Sequence, residues 1–213
     1  MHLKEWLMPY FDKLLVIPDD ELPEDFSGIA VILPEGTSPD GQSLSPQGKA
    51  NADLALNLYD KDQISYFVTA GGYSYHRGPN ERILADLYLV DELGKRGVKN
   101  PDSLIFAGPV SFSTEENAHW SRHPIYAISK VQRITNAVVI THKKQGKRAK
   151  ESFAKLDHNI CFFLLTTNPP YGGNSQGQWK SEWVFTIWNM ISFMLRKTGL
   201  SWLVERFLFG LKT

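Results

Sequence analysis

The chain has a single cysteine, no net charge, no long hydrophobic run and no internal repeat. Each shortage removes a class of protein. Cys161 alone cannot form an intrachain disulfide or a cysteine-rich zinc site. It falls in the apolar run 160–165, where packing within a strand is its expected role. The 23 Lys and Arg residues balance the 23 Asp and Glu residues, which argues against a nucleic-acid partner, since such domains carry a basic excess. The longest apolar region, 183–195, is interrupted by Thr186, Asn189 and Ser192 and is too short to span a bilayer. Residues 1–17 lack the continuous apolar stretch and small-residue cleavage site of a signal peptide. A soluble, cytoplasmic protein without a transmembrane segment is therefore expected. The phosphate-loop consensus, the dinucleotide fingerprint and the nucleophile elbow are also missing.

What is present is a globular composition, 42% hydrophobic and 22% charged, over 213 residues. Three segments can be distinguished. Residues 1–27 hold a helix, with Trp6, Leu7, Tyr10, Phe11, Leu14 and Leu15 at helical spacing, and then the acidic stretch 19–25, expected to be a solvated connector. Residues 28–167 alternate short apolar runs with amphipathic stretches. Strands are expected at 29–33, 64–70, 103–107, 137–141 and 160–166, and helices at 46–59, 80–96, 115–131 and 146–156. Such alternation predicts right-handed crossovers and an α/β, Rossmann-like three-layer sandwich around a mainly parallel five-stranded sheet. Ser45-Pro46, Ser113-Thr114 ahead of two glutamates, and the glycines at 94 and 97 supply helix starts and a stop. Residues 168–213 hold a Pro/Gly/Asn loop and two tryptophan-rich helices at 179–195 and 201–211. Their aromatic stripes suit core packing on the domain. The alternative is a homodimer or peripheral membrane contact through Trp202, Phe207, Leu208 and Phe209.

Ligands of parallel sheets gather beyond the carboxyl ends of the strands, and three polar turns fall there. The first is Gly71-Gly72 with Glu81, which serves either a ligand approaching the main chain or a tight turn with a helix-capping acid. The second is Ser111 to Asn117, where Ser113, Thr114, Glu116 and Asn117 crowd one turn beyond what a cap requires. The third is Thr141 to Arg148, in which basic groups meet a helix N-terminus, a combination suited to an anion. A solvated basic turn accounts for its lysines, whereas the planar fork of Arg148 suits phosphate or carboxylate. His142 is either an acid–base group or a bystander. The loop 34–41 either folds over the site or is a surface excursion. His119 and His123, four apart on a helix, lack a third ligand and an intervening glutamate, and no metal is expected.

Taken in order, 29–33 followed by Gly36, Leu44-Ser45, Gly71-Gly72, Glu81, Gly97-Val98, Thr114-x-Glu116-Asn117 and Thr141 with Arg148-Ala149 resemble the bacterial family typified by the SanA, ElyC and YdcF proteins. The resemblance runs from Gly28 to about Phe163. It implies a Rossmann-like sheet with the shared polar residues lining one pocket. Some members are membrane-anchored and tied to envelope integrity. The chain looks more like the soluble YdcF-like branch, with which binding of S-adenosylmethionine or another nucleotide-like ligand is associated. Two positions depart from the pattern: Gln145 stands where the family has histidine, and Pro34 where it has glycine. Gln145 hydrogen-bonds but does not shuttle protons.

The functional expectation is a cytoplasmic protein that binds a small anionic, nucleotide-like or phosphate-bearing ligand. Gly36, Gly71, Gly72, Glu81, Ser113, Thr114, Glu116, Asn117, Thr141, His142, Gln145 and Arg148 are the candidate ligand-binding residues. Glu116 or Glu81 would be the general base of a phosphoester hydrolase or group transferase. The rival is a non-catalytic interaction protein whose C-terminal aromatic helices dock a partner or a membrane surface.

Overall fold

In the computed structural model, residues 9–10, 13–72, 80–111, 113–156, 159–169 and the pairs 186–187, 190–191 and 194–195 are described. Five strands, β1 (Gly28–Ile32), β2 (Ile64–Thr69), β3 (Ile105–Ala107), β4 (Asn136–His142) and β5 (Cys161–Thr167), form one sheet in the order β3-β2-β1-β4-β5. Every pairing is parallel. Four helices connect them: α1 (Pro46–Asp60), α2 (Glu81–Lys95), α3 (Thr114–Gln132) and α4 (Lys143–Phe153). The expected α/β Rossmann-like architecture is present.

β1 lies at the centre, and all five of its residues are buried. Its side chains alternate between two cores, because successive residues of a strand face opposite ways. Ala30 and Ile32 join Ala55, Leu56, Leu84 and Leu89 of α1 and α2 on one face. Ile29, Val31 and Leu33 join Ala118, Ile125, Ala149 and Phe153 of α3 and α4 on the other. Coverage of both faces explains why the central strands are continuous apolar runs. Truncating one fully enclosed side chain, such as Ile32→Ala, would cost roughly 2–5 kcal/mol.

Several boundaries move for identifiable reasons. β3 begins at Ile105, because Pro101–Leu104 closes into a 3-10 turn in which Ser103 Oγ donates to the Asn100 carbonyl at 2.7 Å. α4 begins at Lys143, three residues before the expected 146, because His142 caps it. The acidic stretch is no solvated connector at its start. Asp20 exchanges two 2.9 Å hydrogen bonds with Leu164, through its backbone N–H and its Oδ2, and Asp19 Oδ1 accepts from the Thr166 N–H at 2.9 Å. Asp20 also pairs with Lys150. The two aspartates thus occupy backbone groups along the outer edge of β5, an edge that would otherwise template pairing with another strand. Cys161 is exposed, against the expectation of strand packing, because it opens this edge strand.

Of the expected terminal helices, Leu15 is buried while Tyr10 and Leu14 are exposed. Trp6, Leu7, Phe11 and the segment 201–211 with Trp202, Phe207, Leu208 and Phe209 lie outside the described residues. Thr186 is fully buried, whereas Ile191 and Met194 are exposed. Among the described residues no helix is long and apolar enough to cross a membrane.

Candidate functional site

From β1 the chain runs outward in one direction to β2 and β3, then returns to β4 and β5 on the other side. The sheet order therefore reverses between β1 and β4, and beyond the carboxyl ends of such strands is where ligands of parallel sheets gather. Leu33 extends the ladder by donating to the Ile140 carbonyl at 3.0 Å. Pro34 then ends the strand, and Glu35 (φ 49°) and Gly36 (φ 97°) turn the chain through the left-handed region. That backbone is unusual for a glutamate. It is held by Ser45, whose hydroxyl donates to the Glu35 carbonyl at 2.8 Å and whose N–H donates to the Gly36 carbonyl at 3.1 Å. The same hydroxyl accepts from the Gly48 N–H at 3.0 Å and so caps α1. Thr37 and Leu44 bridge antiparallel, and the loop closes as a small hairpin with Asp40 exposed at its tip.

This turn carries the Glu35 carboxylate onto the end of β4. Its Oε1 accepts from Thr141 Oγ1 and from the His142 N–H, both at 2.5 Å. Glu81 comes from the other side: Asn80 caps α2, accepting from the Arg82 N–H at 2.9 Å, and Glu81 Oε2 accepts from the Gly36 N–H. Two carboxylates separated by 46 positions thus meet one two-residue turn. Burial raises the Glu35 pKa to about 7, although the His142 and Thr141 hydrogen bonds, the Arg148 charge and Asn51 pull it down. Burial likewise raises Glu81 to about 7, with repulsion from Glu35 adding to it and hydrogen bonds from the Gly36 and Gly72 backbone opposing it. Desolvation outweighs the hydrogen bonds in both, because an enclosed carboxylate loses more hydration than a few dipoles return.

Gly71 and Gly72 are needed for packing between loops. A Cβ at Gly72 would stand 1.7 Å from the Ser111 carbonyl oxygen, and one at Gly71 3.1 Å from Pro34 Cγ and 3.4 Å from Glu81 Cγ. Among the described residues, what approaches the Gly72 main chain most closely is thus the Ser111 turn itself. Ser111 Oγ is hydrogen-bonded to Asn117 Oδ1, and Ser113 caps α3 by accepting from the Glu116 N–H at 3.0 Å. Thr114, buried, bonds Gln145 Oε1 at 3.5 Å, and Arg148 Nη2 donates to the same oxygen at 3.4 Å. Gln145 therefore ties the α3 and α4 turns together. Glu116 and Asn117 are half-buried in the first turn of α3.

The basic turn is not solvated as its lysines suggested. Lys144 is 1% exposed, and its Nζ donates to Thr186 Oγ1 at 2.8 Å. Arg148 is 7% exposed and acts electrostatically on Glu35. His142 is buried, and its Nδ1 accepts from the Lys144 N–H at 3.3 Å, so the ring serves first as a helix cap. His119 and His123 face solvent and flank the Trp120 ring. Among the described residues no group of three His, Cys, Asp or Glu side chains is placed to hold a metal ion.

Of the residues singled out in the sequence, Gly36, Gly71, Gly72, Glu81 and Thr141 with His142 are joined through the Glu35 turn. Thr114, Gln145 and Arg148 are linked to one another, with Arg148 in electrostatic reach of Glu35, whereas Ser113 caps α3. Glu35 itself was overlooked. Its signal is a carboxylate directly after the central strand, beside Gly36, in the loop 34–41. Asn51 was also overlooked: fully buried on α1, it donates to the Leu33 carbonyl at 2.7 Å and accepts from Thr167 Oγ1 at 2.5 Å. No family model, curated protein or solved structure matches the chain.

Proposed function

We propose that this protein binds a small nucleotide-like or phosphate-bearing ligand in the crevice between the ends of β1 and β4. The observation that carries the reading is the enclosed Arg148 guanidinium within electrostatic reach of Glu35 where the strand order reverses. A planar fork in a low-dielectric cleft recognises phosphate or carboxylate, and the α4 N-terminus adds a favourable dipole. The resemblance to the soluble YdcF-like branch makes S-adenosylmethionine one candidate. Turnover at this site would be phosphoester hydrolysis or group transfer. Glu81 or Glu35 would take the proton, since carboxyls held near pH 7 suit general acid–base work. The proposed setting is the cytoplasm.

Thermal shift of the full chain against AMP, S-adenosylmethionine and a set of sugar phosphates tests the reading. A ligand at a hundredfold excess over its Kd adds about 2.7 kcal/mol of stability. Arg148→Ala should keep the far-UV spectrum and lose that response, while Arg148→Lys, which keeps the charge without the fork, should retain part of it. Equal ligand response in parent and Arg148→Ala overturns the assignment.

A further inference from the structure

Among the described residues, one oxygen of Glu35 is left without use. Its Oε1 is taken by Thr141 and His142, whereas Oε2 is shut off from solvent and has no hydrogen-bond partner among the described residues. A buried acceptor left in this condition is costly, and more so on a charged group. Glu81 approaches the same turn, its Oε2 on the Gly36 N–H, and the two carboxylates repel one another. Arg148 supplies positive charge to Glu35 from α4. The turns at the ends of β1 and β4 therefore offer a cationic fork and, within its electrostatic reach, an acidic corner with acceptor capacity unused.

We propose that the ligand of this crevice is zwitterionic, with its anionic group on Arg148 and an ammonium group on Glu35 and Glu81. This rests on the reading given under Proposed function and narrows its ligand class. A hydroxyl would satisfy one oxygen but leave the two carboxylates opposed. A metal ion would want a further carboxylate or imidazole, and no such group of three exists among the described residues. An ammonium brings three N–H donors and a charge that attracts both acids.

The assignment has a signature that simple packing lacks. Burial holds both carboxyls near pH 7, so a bound cation ionises them and expels protons. The pair is bordered by Asn51 of α1, by Thr141 and His142 at the end of β4, and by Arg148 of α4. Lys144 is turned away onto Thr186, and Glu115 and Glu116 stand on the first turn of α3.

Isothermal titration of the full chain at pH 7, in two buffers of different ionisation enthalpy, reads affinity and proton release together. The probes share one nucleoside: adenosine carries neither charge, AMP only the anion, and S-adenosylhomocysteine both. S-adenosylhomocysteine should bind at least about tenfold tighter than AMP and release protons. Glu35→Gln and Glu81→Gln should each remove the release and most of the preference, with the fold checked by circular dichroism. If AMP binds as well as S-adenosylhomocysteine, or the latter binds without releasing protons, the ammonium assignment falls while the anion site stands. If none of the three binds, the underlying reading fails and this inference with it.

Discussion

The two ends of α2 carry the same kind of side chain in opposite states. Glu81 at its first turn is enclosed beside the Gly36 and Gly71-Gly72 turns, and its pKa is raised to about 7 by burial. Glu92, near its last turn, is lowered by hydrogen bonds from Lys95 and Arg96, both at 2.9 Å, beside an exposed ion-pair network that includes Asp60. Residue type and helix are shared, so neither decides behaviour. What differs is water: at one end a carboxylate has lost its hydration and cannot ionise cheaply, at the other it keeps hydration and gains partners. A carboxylate poised for proton exchange is made by the loops that cover it.

The contrast can be broken most violently at Gly72. Gly72→Ala forces a Cβ onto the Ser111 carbonyl and should cost about 3 kcal/mol or more, or prevent folding. Gly94, near the far end of α2, has nothing within 4 Å of its Cβ position. Urea denaturation of the two alanine variants side by side checks the difference.

The next effect is pH-dependent. Because folding raises both carboxyl pKa values from 4.5 to about 7, the folded state holds protons more tightly than the unfolded chain. Their stabilising contribution is complete below about pH 4.5 and is lost as pH rises through about 7. For either group taken singly the swing is on the order of 3 kcal/mol, since one pKa unit is about 1.4 kcal/mol. Glu35→Gln and Glu81→Gln should each be more stable than the parent at pH 8, with the gap closing at pH 5. A parent whose urea midpoint stays flat from pH 5 to 8 would contradict the enclosure.

Gly94→Ala, the gentle counterpart, should stabilise the protein by about 0.5–1 kcal/mol, as alanine suits an open helix position better than glycine. The smallest effect belongs to Glu92→Gln. Its denaturation midpoint should stay close to that of the parent, and any difference should fade in salt, since exposed pairs are screened. A strong, salt-independent loss there would erase the distinction between the two ends.

Most of the fold was legible because its signals are local. β-branched runs ending in glycine or proline, and caps such as Ser45-Pro46 and Ser113, act within a few residues of themselves. Much of the site was legible for the same reason, since strand ends in a parallel sheet point to one edge. Glu35 was not, because its importance arises from His142 and Thr141, more than a hundred residues away. The burial of Lys144 and the stitching of Asp19 and Asp20 to β5 escaped likewise: composition marks them as solvated, and only the arrangement of neighbours decides otherwise.

By itself, then, the amino-acid order determined the succession of strands and helices, their two buried faces and the edge at which polar turns collect, because periodicity and capping are short-range. The tertiary structure alone decided which of those polar groups lost water and which met. Hydration and Coulomb forces depend on distance through space, and along the chain Glu35, Glu81 and Arg148 are far apart.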